Sequence, residues 1–204
     1  MRVLVTREEL VARVESLGHD AVFCQLIRVE PLGDDPVDAR AYDWLVVTSR
    51  NGAHELARRG VVANRIAAIG PATAEALRSH GLQVDLVAAT HTQEGLRDEL
   101  PEGTRLLAAA EGARQDVLDA EFLPLYRTVE LRPDPPRADL ALLMSGSAAR
   151  ALAATGARVP IVAMGPQTAA EARAAGLDVA GVAATNDLDG LVEALRSSSW
   201  SSPS

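Results

Sequence analysis

The sequence predicts an α/β fold: two similar parallel-sheet domains, the first of them discontinuous, joined by a two-stranded β-ladder. Three observations predict it. Short, continuous apolar runs alternate with Ala-rich helical segments that end in Gly, one stretch of the chain repeats itself once, and the two copies are unequal at one end. Continuous apolar strands are buried on both faces, as the strands of a parallel sheet are. Strand–helix alternation with short links implies right-handed crossovers.

Val3-Leu4-Val5 reads as the first strand, followed by Leu10, Val14 and Leu17 at helical spacing and a stop at Gly18. Comparable strands are predicted at Trp44–Val47, Ile66–Ile69, Leu106–Ala109, Leu142–Met144 and Ile161–Ala163, with helices over Ala72–His80 and Thr168–Ala175, each before a Gly. Laying Gly70–Leu100 over Gly165–Leu195, a shift of 95, aligns Gly70-Pro71 with Gly165-Pro166, Thr73-Ala74 with Thr168-Ala169, Ala88-Ala89-Thr90 with Ala183-Ala184-Thr185, and Gly95-Leu96 with Gly190-Leu191. Ser49 over Ser145 extends the match with one residue of slippage. Two copies of one α/β unit follow, since a solenoid needs more copies of a shorter period.

After Leu100 the first copy runs on through a strand and a segment with room for a short helix, Arg105–Ala120, whereas after Leu195 the second has only a Ser-rich tail. The unassigned strand–helix pair at Val3–Leu17 is therefore expected to complete the second copy. The chain must then cross twice. Leu123–Leu131 alternates, with Leu123, Leu125, Val129 and Leu131 on one side and Tyr126, Thr128 and Glu130 on the exposed other. Phe23–Glu30, closed by Pro31, is similar. Paired antiparallel, the two would make a narrow link that permits relative motion. The expected boundaries are residues 1–26 with 131–196 as domain 1, 33–122 as domain 2, 27–32 and 123–130 as connecting strands, and 197–204 as a disordered tail. Each domain would be flavodoxin-like or Rossmann-like.

Composition narrows the chemistry. The net charge of −8, with no basic block, argues against non-specific binding to nucleic acid or an anionic membrane. Aromatics at 3% leave few platforms for stacking bases. Cys24 has no partner for a disulfide or thiolate zinc site, which fits a reducing cytoplasm. All 20 basic residues are Arg, which excludes Schiff-base chemistry and a Walker lysine. No signal peptide and no apolar run of about 18 residues is present. His19, His54, His80 and His91 have no companions at metal-ligand spacing, so no metal is expected.

What remains are turns at the carboxyl ends of parallel strands, where α/β sheets bind ligands. They are Thr48-Ser49-Arg50-Asn51-Gly52 and Gly70-Pro71-Ala72-Thr73 in the first copy, and Ser145-Gly146-Ser147 and Gly165-Pro166-Gln167-Thr168 in the second. Each combines Gly, hydroxyls and the free N–H groups of a helix start, an anion site worth about 0.3–1 kcal/mol per charge. Four such turns in a cleft would suit a ligand with several carboxylates or phosphates. The same residues are also ordinary caps and turns. Tyr126 could equally pack against the link, and Arg7 and Arg50 could pair with surface carboxylates.

Val3-Leu4-Val5-Thr6-Arg7, Tyr42–Gly52, Ile69-Gly70-Pro71-Ala72-Thr73-Ala74, Leu125-Tyr126-Arg127-Thr128 and Met164-Gly165-Pro166-Gln167-Thr168-Ala169 together resemble the uroporphyrinogen-III synthase family, in that order along nearly the whole chain. The resemblance implies two α/β domains on a two-stranded ladder. It implies a cofactor-free lyase of tetrapyrrole (haem) biosynthesis that cyclises hydroxymethylbilane, a linear tetrapyrrole with eight carboxylates, with loss of water and inversion of ring D. The substrate also closes unaided to the uninverted isomer, so the protein must hold a geometry; a hundredfold preference needs only about 2.7 kcal/mol.

By the same resemblance, Tyr126 is the catalytic residue that assists departure of the hydroxyl. Thr48, Ser49, Asn51, Thr73, Ser145, Ser147 and Thr168 are then the substrate-binding positions, joined by Arg7 and Arg50, which stand just after strands where they could meet ligand anions, with binding spread over many groups. The expected setting is a cytoplasmic monomer, with transient contact to the upstream deaminase and no nucleic-acid or membrane partner. The chain departs from the family's pattern in a short N-terminal helix, in little room for a helix over Gly112–Phe122, and in Met144 and Gly146 beside Ser145. The rival reading is a non-catalytic protein of the same fold that binds or senses a tetrapyrrole or another polyanion. A two-lobed hinge-type binding protein is a third reading, against which the missing export signal counts.

Overall fold

The computed structural model describes residues 1–197. The chain forms two compact units, Met1–Arg28 with the chain from Val129 onward (unit 1), and Val29–Thr128 (unit 2). In chain order the elements are β1 (Arg2–Val5), a 3₁₀ turn (Glu8–Leu10), α1 (Val11–Glu15), β2 (Asp20–Phe23), β3 (Ile27–Pro31), β4 (Val37–Asp38), β5 (Trp44–Val47), α2 (Arg50–Arg59), β6 (Val61–Val62), β7 (Ile66–Ala68), α3 (Pro71–Ser79), β8 (Leu86–Val87) and α4 (Gln93–Glu99). There follow β9 (Arg105–Ala110), β10 (Glu121–Glu130), β11 (Leu140–Leu143), α5 (Gly146–Ala154), β12 (Ile161–Ala163), α6 (Pro166–Ala174), β13 (Val179–Val182) and α7 (Leu188–Ser197). No helix of the described residues is long and apolar enough to cross a membrane.

Unit 1 is built on a five-stranded sheet of order β13-β12-β11-β1-β2, parallel throughout. Counted within the unit this is the 2-1-3-4-5 order of flavodoxin-like folds. The continuous apolar strands serve both faces, as their period of two requires. Leu4, Ala141, Leu143, Ile161 and Ala163 point into one core with Ala148, Leu152, Ala169 and Ala172 of α5 and α6. Val3, Val5, Leu140, Leu142 and Val162 point into the other with Leu10, Val14, Leu191 and Leu195. The N-terminal strand and helix thus supply an interior strand of this sheet, between β11 and β2, and part of one face.

In unit 2 the sheet order is β3-β10-β9-β5-β7-β8, and every pair from β10 to β8 is parallel. Taking β9 and β10 as the first two strands, β10-β9-β5-β7-β8 is again 2-1-3-4-5. The two units therefore share one layout in circularly permuted chain order. Leu45, Val47, Ile66, Ala68, Leu106 and Ala108 pack under α2 and α3; Trp44, Val46, Ala67, Leu107 and Ala109 pack under Leu96 of α4 and Leu118. A short parallel pair, β4 with β6, completes the unit.

The repeated Thr…Gly spacing has a packing cause. A Cβ on Gly95 would lie 2.8 Å from Thr90 Cβ and 3.0 Å from Thr90 C, and one on Gly190 would lie 2.5 Å from Thr185 O. In each unit the first turn of α4 or α7 rests directly on the preceding loop, and only Gly fits.

Three expectations need correction. No helix forms over residues 111–120. That stretch is an irregular turn holding Gly112 and a left-handed Asp119 (φ 43°), which reaches the core mainly through Leu118. Phe23–Glu30 is not one strand, because β2 ends at Phe23 and β3 starts at Ile27. The intervening chain turns Cys24 and Leu26 into the unit 1 core. Tyr126 does not lie on an exposed strand face. The register of β10 against β9 shifts between Pro124 and Tyr126, so that neighbouring Leu125 and Tyr126 are 0% and 5% exposed.

The chain passes from one unit to the other in β3 and β10, neighbours in sheet order, where Leu32 N–H donates to Leu125 O at 2.9 Å and Leu131 N–H to Leu26 O at 2.8 Å. Of the tail expected at 197–204, Ser197 ends α7 and the rest lies outside the described residues.

Candidate active site

In unit 2 the site grows from the turn between β5 and α2. Ser49 is extended (φ −158°, ψ 156°), and its Oγ accepts the Gly52 N–H at 3.0 Å, capping one of the donors that a helix start leaves free. Gly52 has no side chain because Ser49 Oγ, Ala108 O and Val47 Cγ1 stand 3.2–3.5 Å from where its Cβ would be. This close fit brings α2 against the carboxyl ends of β5 and β9, the point where the strand order of the unit reverses and where α/β sheets bind ligands.

Tyr126 reaches the same turn from β10. The register shift turns its ring inward, Glu111 N–H donates to its carbonyl at 2.8 Å, and its hydroxyl lies 2.9 Å from Ser49 Oγ. Burial pushes the phenol above its ordinary pKa, while hydrogen bonds with Ser49 and Asn51 pull it partly back. The group is therefore a protonated phenol throughout the neutral range, seated at the positive end of a ten-residue helix. Thr48 and Asn51 flank it half-buried, and Arg50 is exposed at the first position of α2.

The Gly-Pro turns are of another kind. Gly70 before α3 and Gly165 before α6 give no side-chain cap, and Pro71 and Pro166 start the helices, so the first-turn N–H groups lack the side-chain partner that Ser49 gives α2. Within the first turn of each helix, Thr73 and Thr168 are 5% and 8% exposed, and besides Tyr126 they are the buried hydroxyl side chains of the described residues. A hydroxyl beside N–H groups without a side-chain cap has the chemistry to meet an anion. His91 and Asn186, 95 residues apart like the turns themselves, stand over Gly70 and Gly165.

Unit 1 repeats the first turn with different neighbours. Ser145 (φ −157°, ψ 156°) caps α5 by accepting Ala148 N–H at 3.2 Å, and its hydroxyl lies 3.0 Å from Ser147 Oγ. The Glu171 carboxylate occupies the place of a Cβ on Gly146 and pairs with Arg150, which also binds Glu130 at 2.8 Å. The sequence reading missed this acid, since a lone Glu on α6 carries no signal apart from Gly146 itself. Arg7 pairs with Glu9 at 3.2 Å on the surface. His54 and His80 are hydrogen-bonded to each other at 2.8 Å, and no group of three metal-ligating side chains occurs among the described residues.

The structure thus brings Tyr126, Ser49 and Asn51 together in unit 2 and Ser145 with Ser147 in unit 1. Thr73, Thr168 and Arg7 stand on turns of their own.

Comparison with known proteins agrees with the fold. A structure of a mutant uroporphyrinogen III synthase from the extremely thermophilic bacterium Thermus thermophilus matches with a TM-score of 0.64 at 20% identity, covering 96% of each chain; at that identity the likeness is one of fold. An Archaeoglobus fulgidus protein provisionally named a uroporphyrinogen-III synthase is 29% identical over 161 residues, 72% of this chain and 69% of its own. The family model described as uroporphyrinogen-III synthase HemD matches residues 8–193, nearly everything from the 3₁₀ turn to α7. On that match, and with the α/β layout in agreement, the chain belongs to the uroporphyrinogen-III synthase family.

Proposed function

We propose that Tyr126 is the acid that assists departure of the terminal hydroxyl from hydroxymethylbilane. The family's reaction is a cyclising dehydration in haem biosynthesis. In the step assigned to Tyr126, the C–O bond breaks and the phenol proton leaves with the hydroxyl as water. The resulting azafulvenium cation closes on the far pyrrole through a spiro intermediate that inverts ring D, and the proton released on rearomatisation restores the phenol. The observation that supports this role is a 5%-exposed phenol, protonated at neutral pH, held 2.9 Å from a helix-capping hydroxyl. General-acid assistance of this kind is worth about 10²–10⁴ in rate.

The same reading gives Thr48, Ser49 (through its main-chain N–H), Arg50, Asn51 and Thr73 of unit 2, and Arg7, Ser145, Ser147 and Thr168 of unit 1, to the substrate's carboxylates. Their main-chain N–H groups share the work. Residues 1–26 with 131–196 are read as one domain and 33–122 as the other, with 27–32 and 123–130 connecting them. The chain is read as a cytoplasmic monomer that meets the upstream deaminase only transiently.

The test is a coupled assay that supplies fresh hydroxymethylbilane and separates the oxidised uroporphyrin isomers. The native chain is expected to yield type III. Tyr126→Phe is expected to lower kcat about 100-fold with KM little changed. Type I alone, with well-folded protein present, would refute the enzymatic reading; an unchanged kcat in the variant would refute the role of Tyr126.

A further inference from the structure

We infer that Ser49 is a positioning residue for the Tyr126 proton: its hydroxyl donates to the phenol oxygen and so leaves the phenol's own hydrogen free for the substrate. The inference rests on the proposed role of Tyr126 and concerns what orients that group.

A phenol has one hydrogen and two acceptor sites. Ser49 Oγ lies 2.9 Å from the phenol oxygen. If Ser49 donates, it fills an acceptor site of the phenol, whose own O–H is left to point away from Ser49. If instead the phenol donates to Ser49, its proton is committed to the protein and is withheld from a departing hydroxyl. Ser49 is suited to donate because its own oxygen already accepts the Gly52 N–H at 3.0 Å. A hydroxyl that accepts one hydrogen bond is a stronger donor in the next, and the helix start adds positive potential in the same direction. The chain Gly52 N–H to Ser49 O–H to Tyr126 O–H also stabilises the phenolate that forms as the proton leaves.

The duplicated turn separates this role from capping. Ser145 has the same backbone angles within a degree and makes the same cap, to Ala148 N–H. Its hydroxyl meets Ser147, and no aromatic ring is involved. The cap therefore belongs to the fold, and the contact with a phenol belongs to unit 2.

The experiment compares Ser49→Ala, Ser49→Thr and Ser49→Asp in the full chain. It uses the isomer assay, thermal unfolding and an ultraviolet titration of Tyr126 in a Tyr42→Phe background, which leaves Tyr126 as the sole tyrosine. Ser49→Ala should raise the Tyr126 pKa further and lower kcat about tenfold with KM nearly constant, the effect of one hydrogen bond. Ser49→Thr should restore both. Ser49→Asp keeps an acceptor for the cap but cannot donate when ionised, so it should recover thermal stability while leaving kcat low.

The inference is overturned if Ser49→Asp restores kcat along with stability, or if Ser49→Ala leaves the Tyr126 titration unmoved. These outcomes are distinct from failure of the underlying reading, in which Tyr126→Phe itself leaves kcat intact.

Discussion

Replacing Gly95 by Ala tests the account of why the repeat is spelled as it is. The added methyl would stand 2.8 Å from Thr90 Cβ and 3.0 Å from Thr90 C, closer than side-chain carbons approach their neighbours. The obstacle is largely backbone, so α4 or the loop must move. Overpacking costs about 1–3 kcal/mol, and backbone contact places this site at the upper end. Better helix propensity returns at most about 1 kcal/mol, leaving a net loss of about 2 kcal/mol. In a unit the size of Val29–Thr128 that lowers Tm by about 10 °C. Gly190→Ala should cost a similar amount in unit 1, because Thr185 O would be 2.5 Å from the new carbon. Gly146→Ala is the control: the group it displaces is the movable Glu171 carboxylate, whose ion pair with Arg150 is about half exposed and worth about 0–1 kcal/mol. Propensity offsets that loss, and Tm should stay within about 3 °C. The assay is thermal and urea unfolding of the three variants with unchanged m. If Gly95→Ala and Gly190→Ala melt with the native chain, or Gly146→Ala falls as far as they do, the reasoning from close approach is wrong.

Other consequences follow from ionisation. Asp38 is held at about 2 by Arg40, chiefly through the side-chain hydrogen bond, which also measures 2.6 Å at Nη2. Carboxyl NMR titration should show it charged well below its neighbours, and Arg40→Met should raise it only part of the way to the ordinary range, because the residue 40 N–H still donates to Asp38 Oδ1. Tyr126 behaves with the opposite sign. Its folded pKa lies above the unfolded value, so the unfolded chain gives up this proton first, and stability falls as pH rises past about 10. Tyr126→Phe should remove its share of the alkaline slope, leaving the share of Tyr42, whose phenol is raised by its hydrogen bond to Glu121, and leave stability between pH 6 and 9, read by urea midpoints, without a pH-dependent change.

Which parts of this were legible in the sequence depends on how local their causes are. The central strands were legible because each is a short run apolar at every position, which only a sheet covered on both faces accommodates. The permuted order was legible because the repeat leaves one strand–helix pair over, and Val3–Leu17 alone could fill it. Tyr126 was placed on the wrong face because a one-residue register shift between Pro124 and Tyr126 reverses the side assignment, and nothing in the alternation of Leu123–Leu131 announces it. The segment after β9 has little room for a helix, and the core beneath needs little more than Leu118, which an irregular turn delivers. Glu171 was invisible because its meaning lies in Gly146, 25 residues away in sequence.

The two copies show what duplication keeps and what it frees. A Ser cap and a Gly-Pro start recur in both because each solves a problem that every strand-to-helix turn has: four N–H groups with no partner in the helix. Ser49 and Ser145 each satisfy one of them, whereas Gly70 and Gly165 leave theirs without a side-chain cap, with buried Thr73 and Thr168 close by. The uncapped turns are alike in both units, which suits binding of like groups such as carboxylates. The capped turns differ in the one respect that matters for chemistry, a phenol against Ser49 and a second serine against Ser145. A proton donor is needed at one place on a substrate that loses a single hydroxyl, while anion sites are useful wherever a carboxylate falls. Like uncapped turns beside unlike capped ones form the pattern such a reaction would use, and this supports the proposed placing of the proton donor at Tyr126 of unit 2.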